Sequence, residues 1–294
     1  MAKVKETTKT YGKITTYIRE FDSLNSFYEY ITTTPLNKTF CWKKGGLSST
    51  EGSKGFTGTE SFEEAVGLFK NGWDDMAKKL TKKLNVQPNC SVTSYVQKTV
   101  YDIVGFQCSV PRYLQGIPTN MVNKRLTPVK QKVVTLNKDF TYNSKTSTED
   151  IIEASIQTMQ VVKMIEAQGI RVNLNIIFGV KGGLNAKTKE VCKIRVKSAN
   201  ERVNISKLAF PLVNPSMFRR LCFRYIEVAP TITDVYKYGY GMPLDGSELK
   251  QYCKGEYVLP RLFDGDLSQL GDLSTICNLT DQIVNGKNDK PKTW

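Results

Sequence analysis

Histidine is missing from all 294 residues of this chain. That absence excludes Ser-His-Asp and Cys-His triads, HExxH zinc sites and any imidazole general base. Carboxylates, Lys, Tyr and Cys are left as chemical groups. The cysteines do not pair up either. Seven stand at positions 41, 90, 108, 192, 222, 253 and 277, no two closer than 18 residues and none in a C-x-x-C. Zinc sites draw their ligands in close pairs, so this spacing argues against one. Cys222 in RRLCFRY and Cys277 in LSTICNL lie in apolar runs. Buried free thiols in a reducing compartment are the expectation.

Long apolar runs are absent too. Nothing approaches the roughly 18–20 residues that span a bilayer. The opening MAKVKETTKTYGK is basic and polar, without a signal-peptide core. The expected setting is cytoplasmic, with no membrane partner. The glycines at 45, 46, 52, 55 and 58 never form G-x-x-x-x-G-K-[ST], and Gly179-Val-Lys-Gly-Gly183 is too short for a nucleotide fingerprint.

What the chain does have is positive charge. Forty-two Lys and Arg stand against 28 Asp and Glu, a net +14. Such a surplus favours a polyanion: nucleic acid or an acidic protein surface. Hydrophobic residues at 40% supply a real core.

Residues 1–94 are expected to form an N-terminal arm, loop and helix region. Residues 1–13 read as a tail or partner-dependent arm, with a helix opening after Asp22 or Ser23 and burying Phe27, Tyr30 and Ile31. Residues 45–60, dense in Gly, Ser and Thr, mark a long loop. Ser61-Phe-Glu-Glu64 has capping-box form, and Phe62, Val66, Phe69, Trp73, Met76 or Ala77, Leu80 and Leu84 follow at helical spacing, with a kink expected at Gly72.

Residues 95–294 are expected to form an α/β domain with a frayed tail. Residues 132–137 read as a strand, residues 151–168 as a helix capped by Ser147 or Thr148 and stopped at Gly169, and residues 171–178 as a second strand. Strand, helix and strand make a βαβ unit with a right-handed crossover. A further strand at 191–196, an Asn214-Pro215 helix start, a strand at 257–259 and a helix from about 272 to 284 complete the pattern. The fold class expected is α/β, a mostly parallel sheet flanked by helices, with a von Willebrand A-like arrangement as one form of it.

Three cationic clusters and one aromatic segment are candidate nucleic-acid contacts: Lys78, Lys79, Lys82 and Lys83 at a helix end; Lys124, Arg125 and Lys130; Arg219, Arg220 and Arg224, expected together on the outer side of a helix; and Tyr236-Lys-Tyr-Gly-Tyr240, which interleaves rings with Lys237. Phosphate neutralisation needs clustered cations, and single-strand binding needs exposed rings beside them. The first cluster also suits a solvated helix C-terminus. Tyr236, Tyr238 and Tyr240 suit either a stacking platform or packing at a domain edge. Asp139-Phe-Thr-Tyr-Asn143 with Ser144 has a degenerate likeness to the D-x-S-x-S cation loop of von Willebrand A-type domains. Without a second Asp or Thr loop, the reading assigns no metal and no cofactor.

Two stretches, Phe56-Thr-Gly-Thr-Glu-Ser-Phe-Glu-Glu-Ala65 running to Asn71-Gly-Trp73, and Leu208-Ala-Phe with Asn214-Pro-Ser-Met-Phe-Arg-Arg220 and Phe223, resemble an uncharacterised family of tailed bacteriophages and prophages. Val110-Pro-Arg112 lies between them, and the similarity spans roughly residues 50–230. In that family the segment before the Arg pair often begins His-Pro, where this chain has Asn214-Pro215. The resemblance implies a viral setting and no defined activity.

The expected function is therefore a non-enzymatic phage protein that binds nucleic acid through basic surfaces. Two alternatives stay open. One is a protein-interaction role, as a virion or assembly component or an inhibitor of a host defence complex, with homo-oligomerisation compatible. The other is a divalent-metal-dependent enzyme built around Asp139.

Overall fold

The structure is a computed structural model describing residues 4–37, 49–84, 95–128, 132–142, 146–182, 187–229, 240–259 and 261. The expected helix at 272–284 lies outside the described residues.

A seven-stranded mixed sheet organises the chain. Its order is β1 (Val4–Tyr11), β2 (Ile14–Phe21), β8 (Thr188–Lys197), β7 (Arg171–Lys181), β6 (Val133–Asp139) and β10 (Tyr257–Leu259), with the two-residue β9 (Met242–Pro243) on β7. The expected βαβ unit is present. α6 (Thr148–Ala167) is capped by Ser147 and crosses between β6 and β7, which pair in parallel from Val133↔Arg171 to Asp139↔Ile177. β2–β8 and β6–β10 are also parallel, whereas β1–β2, β7–β8 and β7–β9 are antiparallel. The sheet is mixed, not mostly parallel. Six residues separate β7 from β8, too few for a crossover, so this connection closes as a hairpin.

Residues 4–11, read as an arm, instead form edge strand β1. Their register is fixed along eight pairs with β2, and β2 in turn lies against β8. Thr-rich β-branched sequence and a tight turn suffice for an edge strand that buries little.

One face of the sheet carries Val134, Leu136, Val172, Leu174, Ile176, Phe178, Cys192 and Ile194 into the main core. α6, α1 (Leu24–Thr33), α7 (Ile205–Val213) and α8 (Phe223–Val228) cover it. α1 has Ser23 as its cap and buries Phe27 and Ile31, as its periodicity requires. The other face packs Ile18, Ile177 and Val191 against Leu244, Leu249 and Cys253 around the short α9 (Gly246–Lys250).

The expected long helix from Phe62 to Leu84 is two helices, α3 (Phe62–Asn71) and α4 (Asp74–Lys83). Gly72 between them has φ +87, a conformation other residues rarely take. Ser61 caps α3 through the Glu64 N–H, but the Glu64 carboxylate reaches Glu60 N–H at 2.6 Å, one residue earlier than a capping box requires.

A second sheet, order β3–β5–β4, is built from β3 (Tyr95–Asp102), β4 (Gln107–Cys108) and β5 (Met121–Pro128), with α5 (Val110–Leu114) in the β4–β5 connection. Across residues 98–125 no side chain is buried, and among the described residues the hydrogen bonds of this sheet stay within it.

Among the described residues no disulfide forms: Cys192, Cys222 and Cys253 are buried and Cys108 is exposed, all as free thiols. Burial pushes the Cys192 and Cys222 thiols well above their ordinary range, which makes them poor nucleophiles.

Candidate nucleic-acid interface

The cationic clusters divide sharply between surface and interior. On α4, Asp74 and Asp75 occupy the first turn while Lys78, Lys79 and Lys82 are exposed toward the C-terminus, an order that suits the helix dipole. Lys78 and Lys82 line an open cavity of about 430 Å³, floored by Ala77 and Ile205 and bounded by Asp74, Thr81 and Ser206. Lys83 belongs to the same helix end. The weak Lys78–Asp75 contact at 3.9 Å hardly offsets this charge.

Lys124 and Arg125 are exposed on β5, while Lys130 lies outside the described residues. Directly opposed residues in an antiparallel pair share a face. Tyr101↔Val122 and Thr99↔Lys124 therefore put Tyr101 and Lys124 on one face, and Lys98↔Arg125 puts that pair on the other, where Arg125 meets Asp102. On the first face the Arg112 guanidinium lies 4.4 Å from the Tyr101 ring centroid, and the Lys124 ammonium lies 5.5 Å from that of Phe106. Arg112 is anchored through Nε to Thr119 O at 2.9 Å. Phe106 and Tyr113 are 62% and 64% exposed, and Ile103, Val104, Val110 and Leu114 are exposed around them. Sequence reasoning found Lys124 and Arg125 but missed Tyr101, Phe106, Arg112 and Tyr113. The signal was available: apolar residues there follow neither a helical nor a two-residue period, as expected of rings with no core beneath them.

Arg219 and Arg220 require correction. They are buried, not outward-facing, in a π-helix (Met217–Cys222) that leads into α8. The strap formed by residues 49–60, including the short α2 (Lys54–Thr57), covers that side. Arg220 donates to the carbonyls of Ser49, Thr50, Gly52, Thr59 and Glu60 and to Thr59 Oγ1. Arg219 donates to Phe56 O and lies over the Phe56 ring at 4.4 Å. The strap is closed further on by Glu227, which accepts Ser49 N–H at 3.1 Å and the Ser49 and Tyr240 hydroxyls. Arg224, half-buried, contacts Glu227 at 3.5 Å and lies over Phe62. Arg219 and Arg220 hold a loop, and a strap distant in sequence is what hid that role. Met217, Phe218, Leu221, Cys222, Tyr225 and Ile226 are buried as their spacing implies.

Tyr240 takes the packing alternative: its ring stacks on Phe223 at 4.1 Å and its hydroxyl bonds to Glu227. Tyr236, Lys237 and Tyr238 lie outside the described residues.

Asp139, at the carboxyl end of β6, is buried, with Oδ1 accepting Thr141 N–H at 3.1 Å and the Thr141 hydroxyl at 2.7 Å, and Oδ2 without a partner. Burial raises its pKa, against the opposing Thr141 bonds and the Arg261 and Lys138 charges. Burial likewise pulls the neighbouring Lys138 ammonium down to about 8. Among the described residues no group of three or more metal-ligating side chains assembles. Asn143 and Ser144 of the degenerate cation loop lie outside them.

Among the described residues, no helix is long and apolar enough to cross a membrane. A family model, Domain of unknown function (DUF7192), matches residues 4–280. The chain belongs to that family. No curated protein and no solved structure matches the chain.

Proposed function

We propose that this DUF7192 chain is a non-enzymatic nucleic-acid-binding protein. One observation carries the reading. Between Asp75 and Asp139 the chain holds eleven Lys and Arg, of which Lys138 is buried, and a single carboxylate, Asp102, so most of the +14 net charge comes from this one segment. The segment contains the exposed α4 lysines and all of the small sheet. Clustered cations release condensed counterions from a phosphate backbone, whereas the same charges scattered among carboxylates would not. A phage or prophage setting in the host cytoplasm, drawn from the resemblance of residues 56–73 and 208–223, belongs to the same proposal.

Fluorescence anisotropy with labelled oligonucleotides over a salt series tests it. Binding that weakens steeply and log-linearly with salt is the expected result. No binding to DNA or RNA at about 100 mM salt rules the reading out, because phosphate-driven affinity persists there. The exposed aliphatic side chains Ile103, Val104 and Leu114 favour a second reading, docking of an acidic protein surface. Under it, light scattering shows an assembly with a protein partner, and nucleic acid does not compete.

A further inference from the structure

We infer that the Tyr101–Lys124 face of the small sheet is a platform for single-stranded nucleic acid, its unpaired bases stacking on exposed rings and its phosphates meeting Arg112 and Lys124. This rests on the nucleic-acid reading and deepens it, adding to the α4 lysines a second surface that selects one class of strand. A three-stranded sheet with no buried side chain across residues 98–125 leaves its rings facing solvent, an arrangement that a covering ligand would stabilise. The chemistry of the face indicates the occupant. Arg112 sits against Tyr101, and Lys124 is next to Phe106. Neither cation has a carboxylate partner among the described residues, whereas Arg125 on the opposite face is paired with Asp102. A flat apolar ring next to an uncompensated cation matches the repeating base and phosphate of a single strand. A duplex keeps its bases stacked inside and offers such rings nothing flat to meet. A second copy of this chain would bring like charges together, since the sheet carries Lys98, Arg112, Lys124 and Arg125 against Asp102 alone.

Phe106 is positioned for this. Gly105 approaches β5 so closely that a Cβ there would lie 2.2 Å from Val122 O, and Phe106 N–H bonds to that same oxygen at 2.9 Å. The glycine lets the chain turn tightly and present the ring beside Lys124.

Anisotropy on the full chain compares a single strand and a duplex, each of about 20 nucleotides or pairs, at equal salt. The single strand is expected to bind more tightly. Phe106→Ala is expected to weaken it roughly tenfold without changing the salt slope, and Phe106→Tyr to retain it. Lys124→Ala is expected to lower the single-strand salt slope by about 0.7. Circular dichroism confirms that each variant folds. Equal or tighter duplex binding, or an unchanged single-strand affinity in Phe106→Ala, overturns this inference while leaving the broader reading standing. Absence of binding to both ligands overturns both. A dimer without nucleic acid that Phe106→Ala dissolves overturns the platform in favour of a second copy.

Discussion

Arg220 is buried without a carboxylate, which is tolerable only because five carbonyls and a hydroxyl accept its donors. Truncation leaves those acceptors buried and unmet. Arg220→Ala is expected to destabilise the fold by about 3 kcal/mol, read as a fall in the urea midpoint, and Arg220→Lys to recover only part, because an ammonium cannot reproduce the guanidinium fork. Neither change touches the proposed interface, so nucleic-acid affinity of the folded fraction should hold. Asp139 gives a second residue-level test. A carboxyl held above its ordinary range binds its proton more tightly in the folded state than in the unfolded one. The fold therefore loses stability as pH rises through the ordinary carboxylate range and regains it as pH falls. Asp139→Asn removes that ionisation, so the variant is expected to exceed the parent in stability near neutral pH and to lose the advantage as pH falls through the ordinary carboxylate range. Urea titrations across pH check it; an advantage that grows on acidification contradicts the assignment.

At the level of elements, Gly105 holds the tip of the small sheet. A Gly105→Ala side chain would meet backbone at 2.2 Å, which has no flexible end to swing away. The tip must move, and single-strand affinity is expected to fall about as far as in Phe106→Ala. The thermal unfolding of the main body should stay unchanged, because among the described residues this sheet's hydrogen bonds stay within it. Which elements were legible follows from where their information lies. The β6–α6–β7 unit was readable because its caps and periodicity are local: Ser147, the Ile151 to Ile165 stripe and Gly169. β1 was not, because an edge strand of Lys and Thr has no apolar face to reveal it. The direction of β8 was not legible, because strands read at 171–178 and 191–196 leave twelve residues between them, enough for a crossover, whereas the longer observed strands leave only six. The orientation of Arg219 and Arg220 was hidden, since the strap at residues 49–60 comes from far away in sequence and makes an outer helix face an inner one. In the candidate interface, Lys124 and Arg125 were found by charge alone. The rings beside them were passed over although their lack of helical or two-residue periodicity was itself the signal of rings without a core beneath them.

Across the whole molecule, charge is segregated by segment. Outside residues 76–138 the remaining Lys and Arg nearly balance the carboxylates, and several of them pair within the fold: Arg19 with Glu6 and Glu190, Lys181 and Lys189 with Glu248, Lys193 with Glu256, Lys197 with Glu166. Burial works against the Arg19 charge, but Tyr225 and Glu190 outweigh it and hold the guanidinium protonated. Those cations stabilise structure, while the α4 lysines and the small-sheet cations remain largely available to a partner. Replacing Lys78, Lys79 and Lys82 together by Glu is expected to weaken binding to any oligonucleotide irrespective of base composition, with little effect on stability because all three are exposed. The most direct measurement of the central claim is the slope of log affinity against log salt for a short single strand, in the parent chain and in this triple variant. The account predicts a steep negative slope that becomes shallower by roughly two in the variant. A parent chain that fails to bind, or a slope the three substitutions leave untouched, contradicts it.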